Sequence, residues 1–354
     1  MGTPTWIMPR RRLLQWSMRA LGAIRPSLAA KVMDWLWFSA PRSRPRPNEQ
    51  VALDAGRRTS WDVRGSTVTG WVWGNEGPTV LLLHGWGGHA GQMHPFVEPL
   101  RAAGFRVIAF DAPAHGASRA SRHGGRRVTF FEFADALQAV TSREPTLTGV
   151  VAHSGGCTSV SLALRAGWKA PASLVFIAPF VRPAASITGF AHAIGANDRV
   201  AAVFSSAAER WLGHPWSYLD ITSLGDAHKQ RRLLVVHDED DKEIPLSHAR
   251  SLVASWPRSR LLVTQGLGHR RVLRDPRVVE SVLAFLGRSA WALIEGDGGY
   301  RPRDSRATLD AAYEDMVSDA CAGRNGREGR SGQVVEGRVN ARFHPITDIS
   351  ERRL

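Results

Sequence analysis

Short apolar runs that alternate with helical patterns are the feature that most constrains the fold of this chain. Each run is rich in Val, Leu and Ile and is followed by a segment long enough to hold a helix. Strands of this kind are buried on both faces, as in a parallel sheet covered by helices on each side. The six runs are 79–83, 107–110, 149–152, 174–177, 233–236 and 261–264. They predict a mostly parallel, doubly wound α/β sheet, preceded by an antiparallel hairpin over 59–74.

The two ends of the chain differ in composition from this central region. The chain has 354 residues, and 46 Lys and Arg against 32 Asp and Glu give a net charge of +14. Residues 1–48 hold nine basic and one acidic side chain, so +8 of that charge lies there. We predict a basic N-terminal extension and linker over 1–48, a folded domain over 49–287 whose last helix stops at Gly287, and a polar, disordered tail over 288–354.

Composition and motif content disfavour several classes of partner. No helix-turn-helix, zinc finger or aromatic RNA-binding motif accompanies the basic charge, so we do not expect nucleic-acid binding. Cys157 and Cys321 lack the spacing of a zinc site or a disulfide framework, which favours a reducing, cytoplasmic compartment. No apolar run approaches the roughly 20 residues of a membrane-spanning helix. The oligomeric state is left open.

Residues 10–37 form an amphipathic pattern with tryptophans beside it. On a helical wheel four apolar side chains share a stripe, and two arginines lie roughly opposite. The stripe consists of Leu14, Met18, Leu21 and Leu28, the arginines are Arg12 and Arg19, and the tryptophans are Trp16, Trp35 and Trp37. Two interpretations stay open. The favoured one is a pair of helices folded against the main domain, and the other is a peripheral contact of residues 1–40 with the inner face of a membrane.

A strand, a sharp turn and a helix surround Ser154. The run 149–152 continues into Ala152-His153-Ser154-Gly155-Gly156, and a helical pattern follows. This segment resembles the nucleophile elbow G-x-S-x-G of the α/β-hydrolase superfamily, with Ala152 in place of the first glycine. Small neighbours allow a serine to occupy a strained turn with its Oγ exposed. Taken alone, the pattern also fits a serine that caps a helix.

Two other strand ends resemble segments of the same superfamily. Leu83-His84-Gly85-Trp86-Gly87-Gly88 resembles its oxyanion segment, which implies that the N–H groups of Trp86 and Gly155 bind the tetrahedral oxyanion. A phosphate-binding turn is the alternative, but no G-x-G-x-x-G or Walker A pattern supports it. The segment 111–118 resembles D-x-P-G-x-G-x-S, with Ala114 in place of glycine. Its three polar residues, Asp111, His115 and Ser118, are interpreted as structural.

The remaining strand ends supply an acid and a histidine. The segment 237–245 resembles the acid loop H-G-x-x-D-x-x-V-P and selects Asp241, with Asp240 second and Asp238 third. The segment 265–271 resembles the Gly-His loop that carries the catalytic histidine, here His269. The chain order Ser154, Asp241, His269 is the order of serine, acid and histidine in this superfamily.

The resemblance covers roughly residues 67–287 and implies an α/β-hydrolase fold with a small helical cap. The cap is expected at about 181–228, before the acid-bearing strand. Within it, four aromatic side chains are predicted to contact substrate: Phe190, Phe204, Trp211 and Trp216.

The activity implied by the resemblance is that of a serine hydrolase. Ser154, His269 and Asp241 would cleave an ester, thioester or amide of a small-molecule acyl substrate through an acyl-enzyme, with a carboxylic ester favoured. No metal or organic cofactor is required for this chemistry. The alternatives are a catalytically silent binding protein of the same fold and a membrane-associated lipid hydrolase.

Overall fold

Eight strands form one sheet in the part of the chain that the structure, a computed structural model, describes. The described residues are 7–41, 43–118 and 120–295. The strands are β1 (Arg57–Val63), β2 (Ser66–Trp73), β3 (Thr79–Leu83), β4 (Arg106–Phe110), β5 (Leu147–His153), β6 (Ser173–Ile177), β7 (Arg232–Asp238) and β8 (Ser259–Thr264). Their order across the sheet is β1-β2-β4-β3-β5-β6-β7-β8.

Eleven α-helices accompany these strands within the same described ranges. They are α1 (Ile7–Ile24), α2 (Pro26–Phe38), α3 (Pro47–Asp54), α4 (Val97–Ala102), α5 (Phe130–Thr141), α6 (Gly155–Arg165), α7 (Ile187–Ala193), α8 (Asp198–Leu212), α9 (Leu246–Ala254), α10 (Gly268–Arg271) and α11 (Pro276–Glu295). Short 3₁₀ turns complete the connections, four of them between β6 and β7. None of these helices is long and apolar enough to cross a membrane.

The strand pairing confirms the predicted doubly wound sheet and the hairpin in front of it. β2 pairs antiparallel with β1 and with β4, whereas β3, β4, β5, β6, β7 and β8 run parallel to one another. Because these six strands are parallel, their carboxyl ends meet at one edge of the sheet, where ligand sites of such folds lie. The segments singled out in the sequence all follow these carboxyl ends.

Alternate side chains of the central strands belong to two separate cores, one on each face of the sheet. In β3, Leu81 and Leu83 join one apolar cluster, whereas Val80 and Leu82 join the other. The first cluster also holds buried side chains of α2, α5, α6, α8 and α9, and the second holds those of α4 and α11. The helices therefore cover both faces, which explains why the strands read as continuous apolar runs.

The N-terminal helices α1 and α2 pack against the cap helix α8 and form part of the first core. Met18 of α1 and Met33 and Phe38 of α2 are buried. A Cβ on Gly195, beside the cap, would lie 2.3 Å from the backbone oxygen of Gln15, so α1 and the cap approach each other at backbone distance. Folding of these helices against the main body was the favoured interpretation of the amphipathic pattern.

Side-chain caps and a left-handed glycine set the ends of α8 and the start of α11, whereas the predicted end of α11 is wrong. Helix α8 begins after Asn197, whose side chain accepts a hydrogen bond from the backbone, and it ends at the left-handed Gly213. Asp275 caps α11 in the same manner. The prediction that α11 stops at Gly287 is wrong, because the helix continues to Glu295. A glycine in a helix costs about 1 kcal/mol but stops it only when it turns left-handed.

The other domain boundaries stay predictions. The chain divides into a compact unit, Met1–Ser305, and a second unit, Arg306–Leu354. Of the predicted tail, residues 296–354 lie outside the described residues, and so does Cys321.

Replacing Met33 by alanine should destabilise the fold if α2 is an integral part of the core. Met33 is fully buried, and truncating such a side chain leaves a cavity that costs about 2–5 kcal/mol. The matched control is Leu28→Ala on the same helix, where the side chain is exposed and we expect a change within about 0.5 kcal/mol. Urea unfolding followed by tryptophan fluorescence measures both. Equal stabilities of the two variants would contradict the assignment.

Candidate active site

Ser154 occupies the turn between β5 and α6 with a backbone conformation that serine rarely adopts. Its φ is 53° and its ψ is −121°, a strained region for a residue with a Cβ. Three backbone hydrogen bonds hold the turn: the Ser154 N–H donates to the carbonyl of Ile177, and the Ser154 carbonyl accepts from the N–H groups of Cys157 and Phe180. The strain is thus supported by the neighbouring strand β6 and the loop after it. The half-buried side chain stands at the carboxyl edge of the sheet.

Glycines beside Ser154 allow two backbone segments to approach each other closely. A Cβ on Gly85 would lie 2.8 Å from the Cβ of Ser154. A Cβ on Gly156 would lie 2.6 Å from the backbone oxygen of His84. No real Cβ tolerates such distances, so the loop after β3 can reach the turn after β5 only with glycine at these positions. At Ala152 the strand is fully buried and regular, so the alanine does not obstruct the turn.

A continuous chain of hydrogen bonds links Ser154, His269 and Asp241. The distance from Ser154 Oγ to His269 Nε2 is 3.0 Å, and that from His269 Nδ1 to Asp241 Oδ2 is 2.7 Å. A carboxylate can only accept, so Nδ1 carries the proton and Nε2 is free to accept from the serine hydroxyl. His269 and the Asp241 carboxylate are buried, while Ser154 is partly accessible. The arrangement can therefore withdraw a proton from Ser154.

Asp241 is held by amides as well as by His269. Its Oδ1 accepts from the N–H groups of Glu243 and Ile244 at 2.8 and 2.9 Å. Burial alone would raise the pKa of Asp241, but these hydrogen bonds and the one from His269 outweigh it, so that the pKa lies below its ordinary value. Asp241 stays ionised and keeps the imidazole in one orientation and tautomer.

The two competing carboxylates, Asp238 and Asp240, hold the loop before His269 instead. Asp238 accepts from the N–H groups of Leu267 and Gly268 and from the hydroxyl of Thr264. Asp240 accepts from the N–H of Gly266. Burial would raise the pKa of Asp238, but its hydrogen bonds lower it below its usual range. Only Asp241 among the three contacts the imidazole of His269, and the other two position the backbone that carries it.

The predicted oxyanion segment faces the same turn. In the described part of the chain neither the N–H of Trp86 nor that of Gly155 donates a hydrogen bond to protein. The neighbouring Gly87 donates to His115 Nε2 at 2.9 Å, and His115 Nδ1 donates to the carbonyl of Pro113. His115 thus joins the loop after β3 to the loop after β4. This is a structural role, as predicted, but the hydrogen bond from Gly87 connects His115 to a second loop as well as to its own.

Asp111 and Ser118 tie the same loop to its surroundings. The Asp111 carboxylate accepts from the N–H groups of Ala90 and Ala117, at 2.6 and 2.7 Å. Ser118 accepts from the N–H of Thr69 on β2. Ala114, which replaces the usual glycine, adopts a left-handed φ of 62° and so performs the same turn at some cost in strain. These contacts fix the loop on which His115 stands.

His153, adjacent to the serine, was not singled out from the sequence. Its Nε2 donates to the backbone carbonyl of His269 at 2.9 Å, and the two rings lie 4.8 Å apart. Burial, followed by the charge of His269, lowers the pKa of His153 to about 3. A neutral imidazole thus pins the loop of His269 to the turn of Ser154. The sequence does place His153 between a buried strand and the predicted nucleophile, and this position could have indicated a role at the site.

Three aromatic side chains that were not predicted to contact substrate lie beside the turn of Ser154. Trp86, Phe130 and Phe180 are half-buried, and their rings form a contiguous group with centroid distances of 5.4 and 6.2 Å. A Cβ on Gly155 would lie 2.5 Å from Phe130, which places this group directly beside the turn. The three residues come from three different loops or helices, so no sequence pattern joins them.

The rings of all four predicted cap contacts pack against α2. The Trp37 ring lies 5.1 to 6.0 Å from the rings of Phe190, Phe204 and Trp216. The Phe38 ring lies 4.9 Å from the ring of Trp211. Among the described residues no ring contact joins any of the four to the imidazole of His269. The physical reason is that an amphipathic cap helix buries its apolar face on the nearest apolar surface, which is α2.

Comparison with known families agrees with this geometry. The sequence model of the family described as serine aminopeptidase, S33, matches residues 75–281, which is more than half of the chain. The chain belongs to this family of α/β-hydrolases. One curated relative, an uncharacterized abhydrolase domain-containing protein from Dictyostelium discoideum, is 28% identical over 120 residues. That match covers 33% of the present chain and 13% of the relative, so the chain spans only a small part of the length of this relative.

Solved structures of α/β-hydrolases share the fold at low sequence identity. An esterase from Pyrococcus furiosus is 20% identical with a TM-score of 0.53, covering 71% of this chain and 98% of its own. A bacterial membrane phospholipase A is 15% identical with a TM-score of 0.52, and the match covers 81% of this chain and 99% of the phospholipase. An esterase from Thermogutta terrifontis is 18% identical with a TM-score of 0.50, and the match covers 66% of this chain and 99% of the esterase. At these identities the likeness establishes the fold.

Acidification should destabilise this α/β-hydrolase, because its folded state buries histidines whose uncharged form is favoured by burial. Burial lowers the pKa of His115 to about 4 and that of His153 to about 3. In the unfolded chain both take up a proton near pH 6.5, so the free energy of unfolding falls as the pH drops below that value. Asp111 opposes this trend, because burial raises its pKa to about 6 and its folded form takes up a proton first.

Burial also lowers the pKa of His84 well below its ordinary value, so the buried histidines together outweigh one aspartate. We expect a net loss of at least about 2 kcal/mol between pH 7 and pH 5, from the free energy equivalent of each pKa unit. Urea unfolding at both pH values measures it, and His115→Gln should reduce the pH dependence. Equal or greater stability at pH 5 would contradict the account.

Proposed function

We propose that this protein is a serine hydrolase that cleaves a carboxylic ester. The observation that carries the proposal is the hydrogen-bonded series from Ser154 Oγ to His269 Nε2 and from His269 Nδ1 to Asp241. A serine, an imidazole and a buried ionised carboxylate, hydrogen-bonded in this order, form the arrangement that activates a hydroxyl for attack. The strained turn under Ser154 supports the same role, because such strain concentrates at functional sites.

The reaction would proceed in two halves. Ser154 Oγ attacks the acyl carbonyl while His269 Nε2 takes its proton, and Asp241 stabilises the resulting imidazolium. The N–H groups of Trp86 and Gly155 bind the oxyanion, and collapse of the tetrahedral species expels the alcohol, which takes the proton from His269. Water then attacks the acyl-enzyme by the same route and releases the carboxylic acid. His153 and Asp238 act as positioning residues for the loop of His269.

The surroundings of Ser154 favour an apolar acyl group. Trp86, Phe130 and Phe180 offer uncharged rings beside the turn, whereas binding of a cationic amino terminus would need an available carboxylate. Asp241 is engaged by His269, and Glu243, 3.8 Å from His269 Nε2, pairs with Arg270 at 3.5 Å. An ester with an aliphatic or aromatic acyl chain therefore fits better than an aminoacyl amide, although the matching family is described as serine aminopeptidases.

Covalent labelling tests the nucleophile without knowledge of the substrate. A fluorophosphonate should add to the purified protein at Ser154, as read by intact mass and peptide mapping. Ser154→Ala and His269→Ala should abolish labelling, and Asp241→Asn should slow it by about 10³- to 10⁴-fold because the imidazole loses its orientation. Ser142→Ala and His192→Ala are matched controls on exposed sites and should label as the parent does.

The outcome also separates the proposal from a catalytically silent fold. If the protein is folded but does not label, it would be a binding module. If it labels, p-nitrophenyl esters of graded acyl length and aminoacyl p-nitroanilides distinguish esterase from aminopeptidase activity. Faster turnover of the anilides would overturn the ester assignment while preserving the nucleophile.

Substitution of Gly85 tests the oxyanion segment separately. The added Cβ in Gly85→Ala would lie 2.8 Å from the Cβ of Ser154 and 3.1 Å from the carbonyl oxygen of His153. The loop must move away, and the Trp86 N–H moves with it. Since loss of one oxyanion donor costs about 10²- to 10³-fold in kcat, we expect a loss of at least about tenfold for a partial displacement. Gly189→Ala, on α7 with open space around the new Cβ, should retain full kcat. Equal kcat for both variants would refute the placement.

A further inference from the structure

Helices α1 and α2 expose large apolar side chains on the side that faces away from the core. On α1, Leu13, Trp16 and Ile24 are 64%, 68% and 78% exposed. Their spacing of three and eight residues places them along one face of the helix. On α2, Leu28 and Trp35 are 46% and 54% exposed and lie seven residues apart, again on one face. Ile24 ends α1 and Leu28 lies near the start of α2, four residues further along the chain.

This exposure is concentrated in one region of the molecule. Among the described residues eight large hydrophobic side chains are exposed, and five of them lie on these two helices. The other faces of the helices are anchored, because Met18 and Met33 are buried in the core. The exposed rings are therefore held outward by a fixed backbone, and an apolar patch held in this manner marks an interaction surface.

Basic side chains accompany the exposed apolar ones. Four of them are exposed on or between the two helices, and the acidic residue of α2, Asp34, pairs with Arg127. We call the whole set the apolar-basic face. It consists of Leu13, Trp16, Ile24, Leu28 and Trp35 with Arg12, Arg19, Arg25 and Lys31.

We propose that the apolar-basic face docks on the surface of an anionic lipid bilayer, with α1 and α2 lying in the plane of the interface. Tryptophan is suited to this depth, since its ring is apolar and its N–H reaches the wet headgroup layer. Arginine and lysine around the rings match the negative surface potential of anionic lipids. A second copy of the chain fits less well, because a symmetric contact would bring two sets of four cations together.

The docking face is distinct from the proposed catalytic site and does not depend on it. The same helices touch the cap from their other side, through Trp37 and the rings of Phe190, Phe204 and Trp216. Docking would thus bring the cap close to the bilayer without using Ser154 or His269. Binding to vesicles is therefore measured independently of hydrolysis.

Surface substitutions are the correct test, since deletion of residues 1–40 would also remove buried core side chains. We would measure co-sedimentation of the full chain with vesicles of pure phosphatidylcholine and of phosphatidylcholine with phosphatidylglycerol. The expected result is binding to the anionic vesicles only, and weaker binding at high salt. Both Trp16→Ser/Trp35→Ser and Arg12→Glu/Arg19→Glu should weaken it by about tenfold or more, given the free energy that each basic residue contributes near such a surface.

Matched variants on other surfaces serve as controls. Val51→Ser/Val263→Ser removes exposed apolar side chains elsewhere, and Arg101→Glu/Arg277→Glu reverses charges on α4 and α11. Both should bind as the parent does, and thermal melts establish that every variant is folded. Three results would overturn the proposal: no binding of the folded parent to anionic vesicles, equal loss in the controls, or no loss in the face variants. Sedimentation velocity that shows a dimer lost in Trp16→Ser/Trp35→Ser would assign the face to a second copy instead.

Discussion

The strained backbone of Ser154 is the constraint around which the rest of this structure is arranged. A residue with a Cβ keeps a φ of 53° only when its surroundings enforce it. Here the enforcing contacts come from the parallel pairing of β5 with β6, which presents the carbonyl of Ile177 to the Ser154 N–H. The same parallel arrangement places the ends of β7 and β8 alongside, so that the loops carrying Asp241 and His269 start from the correct edge.

Buried polar side chains around this turn, rather than the proposed reacting groups themselves, hold the loops of the candidate site in position. Asp238 fixes the loop of His269 through two amides and a hydroxyl, and His153 holds the carbonyl of His269. His115 holds Gly87 behind the proposed oxyanion donors. Each of these groups is buried and satisfied, which makes the loops rigid. The cost is a set of histidines whose pKa is lowered by burial, so that acid destabilises the folded protein.

The N-terminal helices serve two surfaces at once. Their inner side completes the core and supports the aromatic residues of the cap, while their outer side carries the proposed lipid-docking face. An apolar pattern on a helical wheel does not tell these two uses apart. Leu14, Met18, Leu21 and Leu28 share one predicted stripe, yet Met18 is buried and Leu28 is exposed. The single helical wheel does not apply to both, because the chain leaves the helical conformation at Arg25 and Leu28 belongs to a second helix that begins at Pro26.

The sequence by itself determined the parallel sheet, the positions of the strand ends and the segments that follow them, because these depend on local periodicity and on glycine, proline and charged residues close together in the chain. Only the tertiary structure decided which of three neighbouring carboxylates meets His269, since the choice depends on how β7 and β8 are aligned. It also decided that Trp86, Phe130 and Phe180 form one aromatic group beside the turn of Ser154, and that the cap aromatics pack on α2. Such contacts join residues far apart in the chain, and their geometry exists only once the sheet has brought those segments to one edge.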